Sequence, residues 1–185
     1  VGRDQIIESD KSDQELIASA ISGDGDSFDV LMRRYYQTIR AFSYRISGNV
    51  DADDITQEAL IKIAKSIRSY RGDSKFSSWC YTIVVNVARD FARSRARKQR
   101  IEDRAEGEII HAEHSYADSR RSKEVREALV SLNESERVCV VLSIFEGLSH
   151  REIGDILGCA ETTVSWRIFK AKKTLKKLLT EDEIV

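Results

Sequence analysis

The sequence predicts an all-α fold made of two small helical domains joined by a linker. Three observations carry that prediction. The 185 residues contain no proline. Apolar residues recur at spacings of three and four along nearly the whole chain, with almost no alternating pattern. Glycine and Asn/Asp/Ser clusters interrupt the periodicity at intervals that suit helix-to-helix turns.

Taken in order, helices are expected over Asp13 to Ala20, Ser27 to Ile46, Asp54 to Ser69 and Ser77 to Lys98, separated at Gly23–Gly25, Gly48–Asn49 and Gly72–Asp73. These four form one unit. From Ile101 to Ser122 the periodicity fades while acids, His111, His114, Ser115 and Ser119 accumulate, which reads as a linker. Four further helices follow over Lys123 to Ser131, Glu134 to Glu146, Ser149 to Leu157 and Ala160 to Leu179. Ser149 and Glu152 have capping-box spacing, and Leu148 and Ile153 can staple the same helix start.

The hydrophobic fraction of 41% is enough for ordinary cores, and 30 basic against 31 acidic side chains leave a formal net charge of −1. Total charge names no partner, but its distribution does. Residues 1–30 are acidic, whereas Arg89 to Arg100 carries six bases against Asp90, and Arg167 to Lys177 carries bases and no acid. Such blocks suit a phosphate-binding surface, although a charge run also serves as a solvated helix face. Cys80, Cys139 and Cys159 are odd in number, widely spaced and flanked by apolar residues, so buried free thiols in a reducing cytoplasm are expected. No apolar run is long enough to cross a membrane, and no membrane insertion is expected.

Ile153, Ile156 and Leu157 lead to Gly158, a natural left-handed helix stop, and a second amphipathic helix starts within three residues. Val164, Ile168, Ala171, Leu175 and Leu178 share one stripe of that second helix, predicted to be buried. Thr162, Trp166, Phe169, Lys170 and Lys173 lie opposite. Aromatics, a hydroxyl and ammonium groups on one exposed face suit a helix in the DNA major groove. The pair therefore reads as a helix-turn-helix; a helical hairpin covering another subunit is the plainer reading.

In the N-terminal unit, Ile55, Ala59, Leu60, Ile63, Ala64 and Ile67 define a core-facing side, and Ile61 stands opposite with Asp54, Gln57 and Glu58. An exposed isoleucine in an acidic rim suits a protein partner. Asp51 is placed to cap the helix. On the next helix Ile83, Val84, Val87, Ala88 and Phe91 point inward, with Thr82, Asn86, Arg89, Asp90, Arg93 and Arg97 outward. Tyr70, Arg71, Phe76, Trp79 and Tyr81 precede or open it. Aromatics interleaved with bases suit single-stranded DNA, whose bases stack on rings while cations track the backbone.

These residues resemble the extracytoplasmic-function sigma factors. Asp51-Ala52-Asp53-Asp54-Ile55-Thr56-Gln57-Glu58 is similar to the start of that family's polymerase-binding helix. Tyr70 through Trp79, followed by Tyr81, Asn86 and Arg89-Asp90, resembles its promoter-melting segment. Gly147-Leu148-Ser149, Glu152-Ile153, Leu157-Gly158 and Thr163-Val164 through Arg167-Ile168-Phe169-Lys170-Ala171 resemble its C-terminal helix-turn-helix. Three motifs in the right order cover nearly the whole chain.

The resemblance implies a region 2 domain over 1–100, a linker over 101–122 and a region 4 domain over 123–185. Core RNA polymerase would be held by Asp51, Asp53, Asp54, Gln57, Glu58 and Ile61. The minus-ten promoter element would be opened by Tyr70, Arg71, Phe76, Trp79, Tyr81, Asn86, Arg89, Asp90 and Arg93. The minus-thirty-five element would be read by Thr162, Thr163, Ser165, Trp166, Arg167, Phe169, Lys170 and Lys173. An anti-sigma factor is the implied regulator, and neither cofactor nor catalysis is implied. The chain departs from the family pattern at Ala160 and Thr162, where Pro and Gly are frequent, at Trp166, where a small polar residue is common, and at Asp53, for a frequent glutamate.

Two other readings compete. His111, Glu113, His114 and Asp118 have spacings that could hold zinc in an enzyme, but they fall in the irregular linker with no second motif. A dimeric helix-turn-helix repressor would explain the last sixty or so residues, but not Ile61 in its acidic rim or the aromatics before Arg89.

Overall fold

The computed structural model describes residues 11–48, 51–102 and 120–179. Among the described residues every regular element is helical: α1 Asp13–Ile21, α2 Gly25–Ser47, α3 Ala52–Ser66 continuing as a 3₁₀ turn over Ile67–Ser69, α4 Phe76–Glu102, α5 Arg120–Ser131, α6 Glu134–Ile144, α7 His150–Leu157 and α8 Glu161–Leu178.

Local chemistry fixes the starts. Ser12 accepts from the Glu15 amide while the Glu15 carboxylate accepts from the Ser12 amide, closing a capping box on α1. Asp24 caps α2. The expected cap at Asp51 is not made: this residue has a left-handed backbone with φ 61° and no side-chain bond to α3, because its carboxylate is taken by Arg95 of α4. Tertiary pairing has displaced a local bond there.

Leu16, Leu31, Ile39, Phe42, Ile55, Ala59, Ile63 and Val84 are buried together between α1, α2, α3 and α4. Phe42 meets Tyr81 at 4.7 Å between ring centroids, and Tyr70, Phe76 and Trp79 form a tilted and edge-on aromatic group with Tyr35 against Phe76. The same hydrophobic core continues through Leu132, Val138, Leu142, Ile153, Ile156, Val164, Ile168, Ala171 and Leu175 of α5 to α8 and the turns between them. Two stripe positions differ from the sequence expectation. Leu178 and Ala64 are exposed, since the last turn of α8 outruns the helices it packs on and the α3 stripe narrows toward its end. Cys80 and Cys139 are buried and Cys159 is half-buried; all three are free thiols.

The two helical units pack against each other, α4 on α7 and α2 on α5 and α6. Gly48, with φ +70°, ends α2 where a Cβ would stand 2.6 Å from a Val130 methyl of α5. Arg137 of α6 donates from Nε to the Ile46 carbonyl at 2.8 Å. Glu146, just beyond α6, accepts from the Tyr81 hydroxyl and pairs with Arg45 at 3.4 Å, while Arg45 lies 4.5 Å over the Phe145 ring. Lys75, immediately before α4, pairs with Glu152 of α7 at 3.2 Å. Helix α4 is thus covered on two sides, which buries Val85 as well as the expected Val84 and Val87.

Candidate nucleic-acid and polymerase interface

The acidic rim forms on the outer side of α3 because its apolar residues turn into the core. Asp53, Asp54 and Gln57 are exposed, Glu58 is half-buried, and Ile61 keeps 46% of its surface open among them. Arg40 reaches Asp53 at 3.2 Å and Lys62 stands 4.0 Å from Glu58, while Asp54 is left to solvent. Asp51 faces Arg95 rather than this rim.

Between α3 and α4 the aromatic segment divides. Tyr70 and Trp79 are half-buried, and the Tyr70 hydroxyl donates to the Ser74 carbonyl at 2.6 Å, holding the loop that bears exposed Arg71. Phe76 and Tyr81 are buried, each 4% exposed, so in this arrangement neither ring is open to a base. Burial and the hydrogen bond to Glu146 push the Tyr81 phenol well above its ordinary range. Along α4, Asn86, Asp90 and Arg93 are exposed and Arg89 is half-buried. Asp90 pairs with Lys62 and Arg93, each at 3.7 Å.

Lys62, Lys65, Ser66, Ile83 and Asn86 line an open groove of ≈ 440 Å³ between α3 and α4. The two lysines extend the Asn86 face and were not among the residues expected to meet DNA. Their positions on the polar side of α3 were legible; that this side borders Asn86 was not.

The helix-turn-helix is built as the capping box predicts. Ser149 accepts from the Glu152 amide, and Glu152 accepts from the Ser149 amide at 2.9 Å. Those bonds to Ser149, then the Lys75 ammonium, depress the Glu152 carboxyl to about 2. The helix ends at left-handed Gly158, and α8 starts three residues on.

On α8, Thr162 and Lys173 are exposed, and Trp166 and Phe169 keep 60% and 68% of their surface open. Thr163, Ser165 and Arg167 are half-buried. Ser165 hydrogen-bonds His150 Nδ1 at 2.8 Å, and Arg167 donates to Cys159 Sγ at 3.6 Å, turning its guanidinium toward the turn. Lys170 stands 5.2 Å over the Trp166 ring and pairs at 2.8 Å with Glu136, a carboxylate 4% exposed in the first turn of α6. Sequence periodicity gave no sign of Glu136 or His150 as supports of this face. The His111, Glu113, His114 and Asp118 set lies outside the described residues. Among the described residues, no cluster of three or more His, Cys, Asp or Glu is placed to hold a metal, and no helix is long and apolar enough to cross a membrane.

A tight helix-turn-helix with an open aromatic and basic face, set beside a second helical unit with its own basic groove and acidic rim, defines a two-domain DNA-binding architecture. Comparison with known proteins gives it a family. Residues 31–98 match the Sigma-70 region 2 model and residues 122–175 match Sigma-70, region 4. The chain is 30% identical over 182 residues to the RNA polymerase sigma-H factor of Pseudomonas aeruginosa, covering 91% of this chain and 94% of that protein. It is 31% identical over 176 residues to the ECF RNA polymerase sigma-E factor of Escherichia coli K12, covering 89% of this chain and 92% of that protein. Among solved structures it is similar to the sigma factor RpoE of Bartonella quintana, crystallised with the anti-sigma factor NepR. That likeness has a TM-score of 0.72 at 26% identity, over 84% of this chain and 98% of the other. The chain belongs to the extracytoplasmic-function sigma factors of the sigma-70 family.

Proposed function

We propose that this chain binds core RNA polymerase, directs it to promoters and helps to open the minus-ten element, working in the cytoplasm under the control of an anti-sigma factor. The observation that carries this reading is the open face of α8. Trp166 and Phe169 are exposed beside Lys170 and Lys173 on the second helix of a capped helix-turn-helix, and folding alone gives two such aromatics no reason to face solvent.

The proposed division places core binding and the minus-ten element on residues 1–100 and the minus-thirty-five element on 123–185, with 101–122 between them. Thr162, Trp166, Phe169 and Lys173 face the upstream element directly, and Thr163, Ser165 and Arg167 support them from the inner flank. Asn86, Arg93, Lys62 and Lys65 supply the cations and amide that follow single-stranded DNA, and Tyr70 and Trp79 supply rings for unpaired bases. Unstacking costs a few kcal/mol per base, which stacking and phosphate contacts can offset without any reaction chemistry. Asp53, Asp54, Gln57, Glu58 and Ile61 make the polymerase contact.

The test is competition for purified core polymerase. Asp54→Arg with Glu58→Arg reverses two rim charges against a basic partner surface, at sites where solvent-exposed substitutions cost little stability. The double variant is expected to lose core binding while its circular dichroism is unchanged. A folded double variant with full polymerase affinity would refute the assignment.

A further inference from the structure

We propose that Glu136 is a positioning residue for upstream-element reading: through Lys170 it fixes the Trp166 indole, and the Lys170 ammonium itself contacts no DNA phosphate. The proposal rests on the promoter reading above and adds a residue of α6 to it.

Glu136 is used differently from two glutamates in the same local position. Glu15 and Glu152 each stand three residues after a cap residue, Ser12 or Ser149, and fold back onto it. Glu136 stands three residues after Asn133, whose side chain accepts from the Glu136 amide at 2.9 Å. Its carboxylate leaves that cap and reaches α8 instead. The residue is 4% exposed, and its Oε1 has no hydrogen bond among the described residues, so the Lys170 ammonium 2.8 Å away holds it by charge. A carboxylate buried to this degree needs such a partner.

The same ammonium stands 5.2 Å over the ring of Trp166, four residues earlier on α8. Residues at that spacing lie one above the other, and a cation held over an indole face restricts the ring. Trp166 still keeps 60% of its surface open, so a fixed aromatic ring is presented to DNA. Seen from DNA, the Lys170–Glu136 pair carries no net charge. To reach a phosphate Lys170 would have to leave a buried carboxylate unpartnered, which costs more than an exposed phosphate contact returns. Lys173, exposed on the same helix, is the cation left for the phosphates.

Binding of the full chain to a pool of upstream-element duplexes, measured across a salt series, tests both halves of the proposal. Glu136→Gln is nearly isosteric and removes the charge that holds Lys170. It should reduce discrimination between preferred and disfavoured sequences about two- to fivefold, the size of an exposed cation–π contact. Glu136→Gln combined with Lys170→Met exchanges a neutral pair for two uncharged side chains, so the salt slope should not change, whereas Lys173→Ala lowers it by about one. Nuclear magnetic resonance spectra report the cause. The Lys170 side-chain protons, shifted upfield by the indole in the unaltered chain, should return toward ordinary lysine positions in Glu136→Gln while the remaining dispersion shows a folded chain. A folded Glu136→Gln chain with unaltered discrimination, a double variant whose slope falls by about one, or Lys170 protons without a ring shift in the unaltered chain overturns the proposal. If the unaltered chain itself prefers no sequence, the promoter reading fails and the role of Glu136 with it.

Discussion

Replacing Lys170 with alanine separates two duties of one side chain. Its Nζ lies 2.8 Å from Glu136, whose carboxylate is nearly buried while the lysine side chain is 49% exposed. Removing one partner of a fully buried pair costs about 3–5 kcal/mol, whereas a fully exposed pair contributes about 0–1. Glu136 lies between these limits. Water reaches it from the lysine side, and the amino end of α6 still favours its charge. A loss of about 2 kcal/mol is expected, which for a chain of this size lowers the melting temperature by about 4–8 °C. Thermal melts of the full chain followed by circular dichroism give the number. Glu136→Gln on top of Lys170→Ala removes the stranded charge and should recover more than half of the loss. If Lys170→Ala melts like the unaltered protein, or the double variant melts no higher than the single one, the ion pair does not support the fold and Lys170 is available to DNA alone.

Binding of a pool of upstream-element variants across a salt series should separate Trp166 from Lys173. Trp166→Ser is expected to reorder the preferred sequences, while Lys173→Ala weakens all of them alike and lowers the salt slope by about one. An unchanged ranking with Trp166→Ser would reassign the indole to packing. Acid should loosen the start of α7. Glu152 titrates at about 2 when folded against an ordinary 4.5, so its stabilisation is complete above 4.5 and lost as pH falls toward 2. Glu152→Gln should flatten the acid limb of the melting curve across that window, and an unaltered limb would remove the capping box as its cause. Alkali acts on the other tie. The raised Tyr81 phenol stabilises the fold below its ordinary titration range and loses that contribution as pH rises above it, so the melting temperature should fall in alkali more steeply in the unaltered chain than in Tyr81→Phe, and equal slopes would remove the phenol as the cause.

The helix-turn-helix was legible because its signals are local. Ser149 and Glu152 sit three residues apart, Gly158 takes a left-handed backbone, and Val164, Ile168, Ala171 and Leu175 repeat at helical spacing. Exposed Ile61 could be read in the same way, from its position opposite the α3 stripe. Contacts between elements far apart in sequence left no such trace. Tyr81 belongs by residue type to the rings that would meet DNA, yet it is buried against Phe42 with its hydroxyl on Glu146. Asp51 has the chemistry of a cap, yet Arg95 takes its carboxylate. Arg167 belongs to a basic run, yet its guanidinium turns to Cys159. In each case a partner many residues away, or a turn folded back on itself, decided between two uses that the local sequence allowed equally.

The length of α4 changes the reach of the whole molecule. Its 27 residues make a rod of about 40 Å. Arg95 ties the helix to Asp51, and beyond it the exposed turn from Ala96 to Gln99 stands clear of the core as a stiff arm. With Ile101 and Glu102 drawn into α4, and Arg120, Arg121 and Ser122 into α5, the stretch between the two helices comes down to 103–119. Its contour length is then at most about 60 Å, short of the roughly 70 Å between promoter elements. Domain width and the rigid helix supply the remainder, so the direction in which this arm leaves the N-terminal domain helps to set where along the DNA the second domain can land. Spacer preference would then be partly a property of helix orientation, and a glycine pair inserted near Arg97 should broaden it.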